Sequence, residues 1–345
     1  MARVYDKYLR QRITRRRLLQ ASGVTAVGAG AIALVGCGDS GTSTNGAATA
    51  VDEGEVTKDG ILRTSHAAVL PTLDTFGAAA LIPNIAFGGN VFDHLFYVPL
   101  DTQIVEHLLA ENVEQVDPEG LEYLITIKNS VFHDKPPVNG RPVLASDVKA
   151  TYEAYAADNL APGLGWHHDI LVSIEAPDDN TLIIKQNQPY AWFFHPGGAG
   201  SLGSSNIHPV EVLAEGFDRG NTLIGSGRLM LTENRAGEFF RLDRHPGWRI
   251  EGEPWLAGTE SSLIGESAQA QASFRAGEID TTGLANKLEA DQMAERMGDS
   301  ITITSSFSRA YHALMLQLDR VPAFQDPRNR RAINKAINRQ ELIQL

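Results

Sequence analysis

Apolar and polar positions alternate most regularly at residues 120–128. Leu121, Tyr123, Ile125 and Ile127 interleave there with Glu122, Leu124, Thr126 and Lys128, the period-2 pattern of a strand with one face buried. Shorter runs predict strands at Ile61–Ser65, Thr181–Lys185, Phe239–Asp243 and Ile301–Ser305. Ala176-Pro177-Asp178-Asp179-Asn180 supplies turn chemistry before the second of these. A period near 3.6 appears elsewhere. Val148, Tyr152 and Tyr155 mark a helix over Ser146–Ala157, with Asp147 in its first turn. Further helices are predicted at Ile82–Asp93, Ala268–Ala276 and Leu288–Met297. Pro327–Leu345 reads as one helix, with Pro at its start and Ala332, Ile333, Ala336, Ile337, Leu342 and Ile343 on one face. Strands and helices interleave without a strict βαβ rhythm, which predicts a mixed-sheet α/β architecture.

The first 36 residues follow another pattern. Seven basic residues face a single acid, Asp6, and end in Thr14-Arg15-Arg16-Arg17-Leu18-Leu19-Gln20. This resembles a twin-arginine export signal, with Arg15 and Arg16 as the pair. The apolar run Ala21–Gly36 is Gly-rich and weakly hydrophobic, which suits the h-region of a signal peptide better than a permanent span. It ends at Leu34-Val35-Gly36-Cys37, which looks like a lipobox whose cysteine takes the lipid. Residues 37–59 are rich in Gly, Ser, Thr and Ala without apolar periodicity and read as a tether.

Composition narrows the function. The chain has 345 residues, 43% hydrophobic and 21% charged, enough to bury a sizeable core. Its net charge is −12, and because residues 1–36 are basic the remainder is more acidic still. Such a body is a poor partner for nucleic acid. Cys37 is the single cysteine, so no internal disulfide forms.

Catalytic patterns are weak. Gly198-Ala199-Gly200-Ser201-Leu202-Gly203 fits a dinucleotide fingerprint by letter but lacks the strand before it and the helix after it. Around Ser201 it falls one residue short of a nucleophile elbow. His167-His168 and His133-Asp134 lack metal-site spacing. No cofactor, metal or enzymatic activity is expected, and a secreted hydrolase built on Ser201 or His167 is the weakest reading.

The order of several motifs is more telling: Leu70-Pro71-Thr72-Leu73-Asp74, Asn90-Val91-Phe92-Asp93-His94-Leu95-Phe96, Leu109-Ala110-Glu111, Val131-Phe132-His133-Asp134, Ala145-Ser146-Asp147-Val148, Ala276-Gly277-Glu278-Ile279-Asp280 and Arg331–Arg339. Together they resemble the family 5 extracellular solute-binding proteins, the peptide and nickel receptors of ABC importers. The chain departs from that pattern at Gly225-Ser226-Gly227-Arg228-Leu229, which lacks the usual Pro and aromatic. It departs again at Leu144, where a Ser or Thr helix cap is usual, and at His245-Pro246-Gly247-Trp248.

The resemblance implies a class II periplasmic-binding-protein lobe. Lobe I would span 60–310, with a subdomain inserted at about 90–195. Residues 311–345 would begin a second lobe that is mostly missing. It implies no bond chemistry. The function implied is a monomeric, lipid-anchored receptor outside the membrane, capturing a peptide or other small solute and handing it to permease subunits. The alternative is a receptor-derived extracellular module, or a truncated remnant without transport activity. The ligand-facing positions implied are Leu73, Asp74 and Phe76, Trp166 and His167, Ser201 and Ser204, and Arg309 and Tyr311.

Overall fold

A computed structural model describes residues 58–99, 104–158, 160, 164–195, 198–200, 205–305 and 313–344. The expected export signal, with Arg15 and Arg16, and the lipidation site Cys37 lie outside them, as does nearly all of the tether. The chain opens with β1 (Ile61–His66), α1 (Leu81–Val91), β2 (Phe96–Tyr97), β3 (Glu106–His107), β4 (Ala110–Gln115), β5 (Glu122–Ile127) and α2 (Ala145–Ala157). A π-helical turn, Trp166–Ile170, leads into β6 (Leu171–Glu175), β7 (Thr181–Gln186), α3 (Val210–Leu213), β8 (Leu229–Arg235), β9 (Phe239–Arg244) and β10 (Gly258–Leu263). The helices α4 (Ser267–Arg275), α5 (Lys287–Met297), α6 (Pro327–Ala336) and α7 (Arg339–Gln344) follow.

Two four-stranded sheets organise the body. The first runs β1-β10-β9-β8, with β1 and β10 parallel and the other pairs antiparallel. Phe240 and Leu242 alternate inward from β9 and meet Phe87 and Val91 of α1 in one apolar cluster. The second sheet, β4-β5-β7-β6, is antiparallel throughout. Tyr123, Ile125 and Ile127 point inward as the alternation predicts and pack with Val148 and Tyr152 of α2.

The segments joining the two sheets are buried and polar. Gly227 donates its N–H to the Val91 carbonyl at 2.9 Å, and His133 donates its backbone N–H to Gly225 at 2.8 Å. A Cβ on Gly225 or Gly227 would fall inside contact distance of the Val91 or Asn90 carbonyl, so only glycine allows this approach. Beside it, Arg249 clasps Asp93 with two nitrogens, and both side chains are at least nine-tenths buried.

Leu144 precedes α2 without a side-chain cap. The Asp147 carboxylate takes over part of that role, accepting the Leu144 N–H at 2.9 Å and the Val210 N–H at 3.0 Å. Arg141 pairs with it through two nitrogens.

Two expected elements differ. Ile301–Ser305 alternates like a strand but pairs with no strand among the described residues. The Pro327–Leu345 helix is broken: Ile337 turns to extended backbone after α6, and Asn338 accepts the Glu341 N–H at the start of α7. No residue of α6 is buried. Among the described residues, no helix is long and apolar enough to cross a membrane.

Candidate ligand-facing loop

The loop after β1 carries three of the expected site residues. Leu73 turns into the apolar cluster beneath the first sheet, and its N–H donates to Gly220 at 3.0 Å. Asp74 faces outward. Its carboxylate accepts the Phe76 N–H at 3.0 Å and the Arg219 Nε at 3.2 Å. Gly77, at φ 77°, donates its N–H to the Asp158 carboxylate at 2.6 Å. The Phe76 ring stacks on Tyr155, centroids 4.4 Å apart. The Arg219 guanidinium lies 5.2 Å from the Phe76 centroid, within cation–π range. A depression of about 380 Å³ opens here, walled by Asp74, Phe76 and Gly77 of the loop, Ala157 and Asp158 at the end of α2, and Arg219.

Beneath the loop, Thr75 and His208 are buried and bonded, Oγ1 to Nε2, at 2.9 Å. Hydroxyl and imidazole at this distance form the first half of a nucleophile–base pair. Burial, with the nearby charges of Arg219 and His94, pushes His208 down to about 3. A base so weak, sealed from solute, is suited to holding the loop rather than to catalysis.

Trp166 and His167 sit behind this layer. Trp166 is 1% exposed and donates its Nε1–H to Gln186 at 3.1 Å. His167 is 2% exposed, and neither ring nitrogen has a hydrogen-bond partner among the described residues. The rings of Trp166, Tyr152 and Tyr155 surround it at 5.0–5.5 Å, and burial pushes it down to about 3. Tyr155 therefore lies between His167 and Phe76, so the expected pair sits in the core behind the loop. Ser201, Ser204, Arg309 and Tyr311 lie outside the described residues.

Arg219, Asp158, Thr75 and His208 were not legible as site residues. Arg219 meets Asp74 across 145 positions of sequence, so no local pattern announces it. Asp158 did carry a signal: it follows the last turn of α2, where a carboxylate is disfavoured by the helix dipole. Its bond to Gly77 supplies the reason for its presence. Among the described residues, no group of three His, Cys, Asp or Glu side chains is arranged to hold a metal.

The model of the bacterial extracellular solute-binding proteins, family 5 Middle, matches residues 105–345. A probable D,D-dipeptide-binding periplasmic protein, DdpA of Escherichia coli (strain K12), is 28% identical over 66% of this chain and 46% of its own length. The glutathione-binding protein GsiB of Salmonella typhi is 26% identical over 79% of this chain and 51% of its own. The chain thus spans about half the length of these curated relatives. Among solved structures, HbpA2 from Haemophilus parasuis aligns with a TM-score of 0.59 at 22% identity, covering 68% of this chain and 49% of that one. The oligopeptide-binding protein AppA from Bacillus subtilis, in complex with a nonapeptide, aligns at 0.55 with 24% identity, covering 65% and 44%. These structures share the fold. With motif order, two-sheet architecture and a family match over most of its length, the chain belongs to the family 5 bacterial extracellular solute-binding proteins.

Proposed function

We propose that this chain supplies the first lobe of a lipid-anchored receptor that captures peptides or a related small solute outside the membrane and delivers it to an ABC permease. The observation that carries the reading is the 73–77 loop. It is braced from below, and together with Arg219 it presents a carboxylate, a guanidinium and an aromatic ring around one open depression. Such a surface, apolar with a few fixed polar groups, suits small-solute capture. A second wall beyond residue 311 would complete the cleft, and hinge closure would then trap the solute. Residues 90–195 would form the inserted subdomain. Ser201, Ser204, Arg309 and Tyr311 would serve the ligand as well, as the family resemblance implies.

In this reading Arg15 and Arg16 route the chain to the twin-arginine pathway, and Cys37 carries the acyl chains that anchor it. The test is fractionation of cells fed labelled fatty acid. Label should appear on the wild-type chain in the membrane fraction. It should vanish with Cys37→Ser, and export should stop with Arg15→Lys and Arg16→Lys together. Label retained on Cys37→Ser would remove the anchor from the account.

A further inference from the structure

His208 belongs to the segment that follows residues 201–204, yet it touches the 73–77 loop at two successive positions. Its backbone is fixed first. The His208 N–H donates to Thr151 Oγ1 at 2.9 Å, and the same hydroxyl donates to the His208 carbonyl at 3.2 Å. The ring then bonds Thr75 at 2.9 Å and packs against Phe76, centroids 5.1 Å apart. Phe92 closes its other side at 4.5 Å.

We infer that His208 is the positioning residue of the 73–77 loop, setting Asp74 and Phe76 for whatever the loop grips; this rests on the reading of that loop as ligand-facing.

A chain of buried polar groups ties the same loop to the junction between the sheets. Asn84 Nδ2 donates to the Thr75 carbonyl at 3.2 Å, Asn206 donates to Asn84, and His94 meets Asn206 at 2.8 Å. Thr75 is thus held at its hydroxyl and at its carbonyl. Phe76, more exposed, is fixed by its ring contacts, by the Arg219 guanidinium over its face and by the Asp74 carboxylate at its N–H.

Burial above all, with the Arg219 charge nearby, keeps the His208 imidazole neutral while the loop is closed. Arg219 faces it from the segment before β8, and His94 from the segment after α1. Asp74, the carboxylate on the loop, is already engaged by Arg219. From α2 come the neutral Thr151, bonded to the His208 backbone, and Asp147, which accepts the Val210 N–H and is already paired with Arg141. A proton on His208 would find no uncommitted carboxylate bonded to it among the described residues, so opening of the loop favours protonation.

Hydrogen exchange on the full chain, corrected for intrinsic rates, tests this. Protection of the Asp74, Phe76 and Gly77 amides should fall about 20-fold from pH 7 to pH 5, because the opened imidazole takes up a proton that the closed one refuses. His208→Gln keeps a neutral hydrogen-bond partner for Thr75, so protection near pH 7 should be largely retained while the pH step disappears. Thr75→Val should lower loop protection at both pH values. A pH step that survives His208→Gln, or a Thr75→Val loop as protected as wild type, would overturn the assignment. Should His208→Gln not fold, the wild-type imidazole ¹⁵N shifts decide: a His208 titrating near 6.5 would also overturn it. None of these readings needs a ligand, so they stand or fall apart from the solute-binding reading.

Discussion

Arg63 and Asp280, 217 positions apart, hold each other through both backbone and side chain. The Asp280 carboxylate accepts the Arg63 backbone N–H at 2.8 Å, its Nε at 3.2 Å and its Nη2 at 2.6 Å. In return the Asp280 N–H donates to the Arg63 carbonyl at 2.8 Å. The segment around Ile279 thereby covers the outer edge of β1, where unpaired backbone groups would otherwise face solvent. Asp280→Ala should free the Arg63 amide to exchange rapidly while the global urea midpoint moves little, since the side chains are 45% and 35% exposed. A large global shift with an unchanged Arg63 amide would contradict this division.

The Asp93–Arg249 pair is the reverse case. Burial pushes the Asp93 carboxyl up, against the pull of the guanidinium. The Arg249 plane also lies 4.2 Å from the Trp248 ring centroid. Asp93→Ala strands a cation in the core and should cost about 3–5 kcal/mol in urea unfolding. A loss within experimental error would mean that Arg249 escapes to solvent.

Stability should fall in mild acid. Burial pushes His94 down to about 4, and His133, His167 and His208 to about 3, from an ordinary 6.5. Between those values the unfolded chain binds protons that the folded chain does not, so stability is complete above pH 6.5 and declines as the pH falls toward 4. Each group contributes at most about 2 kcal/mol to the loss by pH 5. Urea midpoints at pH 7, 6 and 5 should descend in order; a flat series would show that these rings are solvated.

At the start of α2, Asp147 serves Leu144, Val210 and Arg141 at once. Asp147→Ala should destabilise by about 2 kcal/mol or more, because it removes the substitute cap and leaves buried donors unmet. Leu144→Ser should recover part of that loss in the double variant, as read from thermal midpoints.

Strands whose faces alternate were readable in the sequence: β5 and β9 fall within one or two residues of the expected spans. β10 was not, because Gly-Thr-Glu-Ser-Ser-Leu carries almost no apolar pattern. It is a strand because β1 and β9 pair with it on either side, and that is tertiary information. β4 was hidden for a related reason: most of its residues, such as Glu111, Glu114 and Gln115, face solvent at a sheet edge. Ile301–Ser305 shows the converse, an alternating pattern with no partner among the described strands. Asp74 and Phe76 could be named through family resemblance. Arg219 and His208 could not, since what makes them part of the site is distance in space rather than spacing along the chain.

If the 73–77 loop is the face turned toward solute, as proposed, a small peptide should perturb that loop before any other surface. Amide chemical-shift mapping of the ¹⁵N-labelled chain, titrated to millimolar glutathione and then trialanine, reads this out. Perturbations should cluster at Asp74, Phe76, Gly77 and Arg219 and be lost in Phe76→Ala. Shifts confined instead to the groove of about 500 Å³ between α1 and β1, around Ile85 and Leu62, or no shifts with either probe, would contradict it.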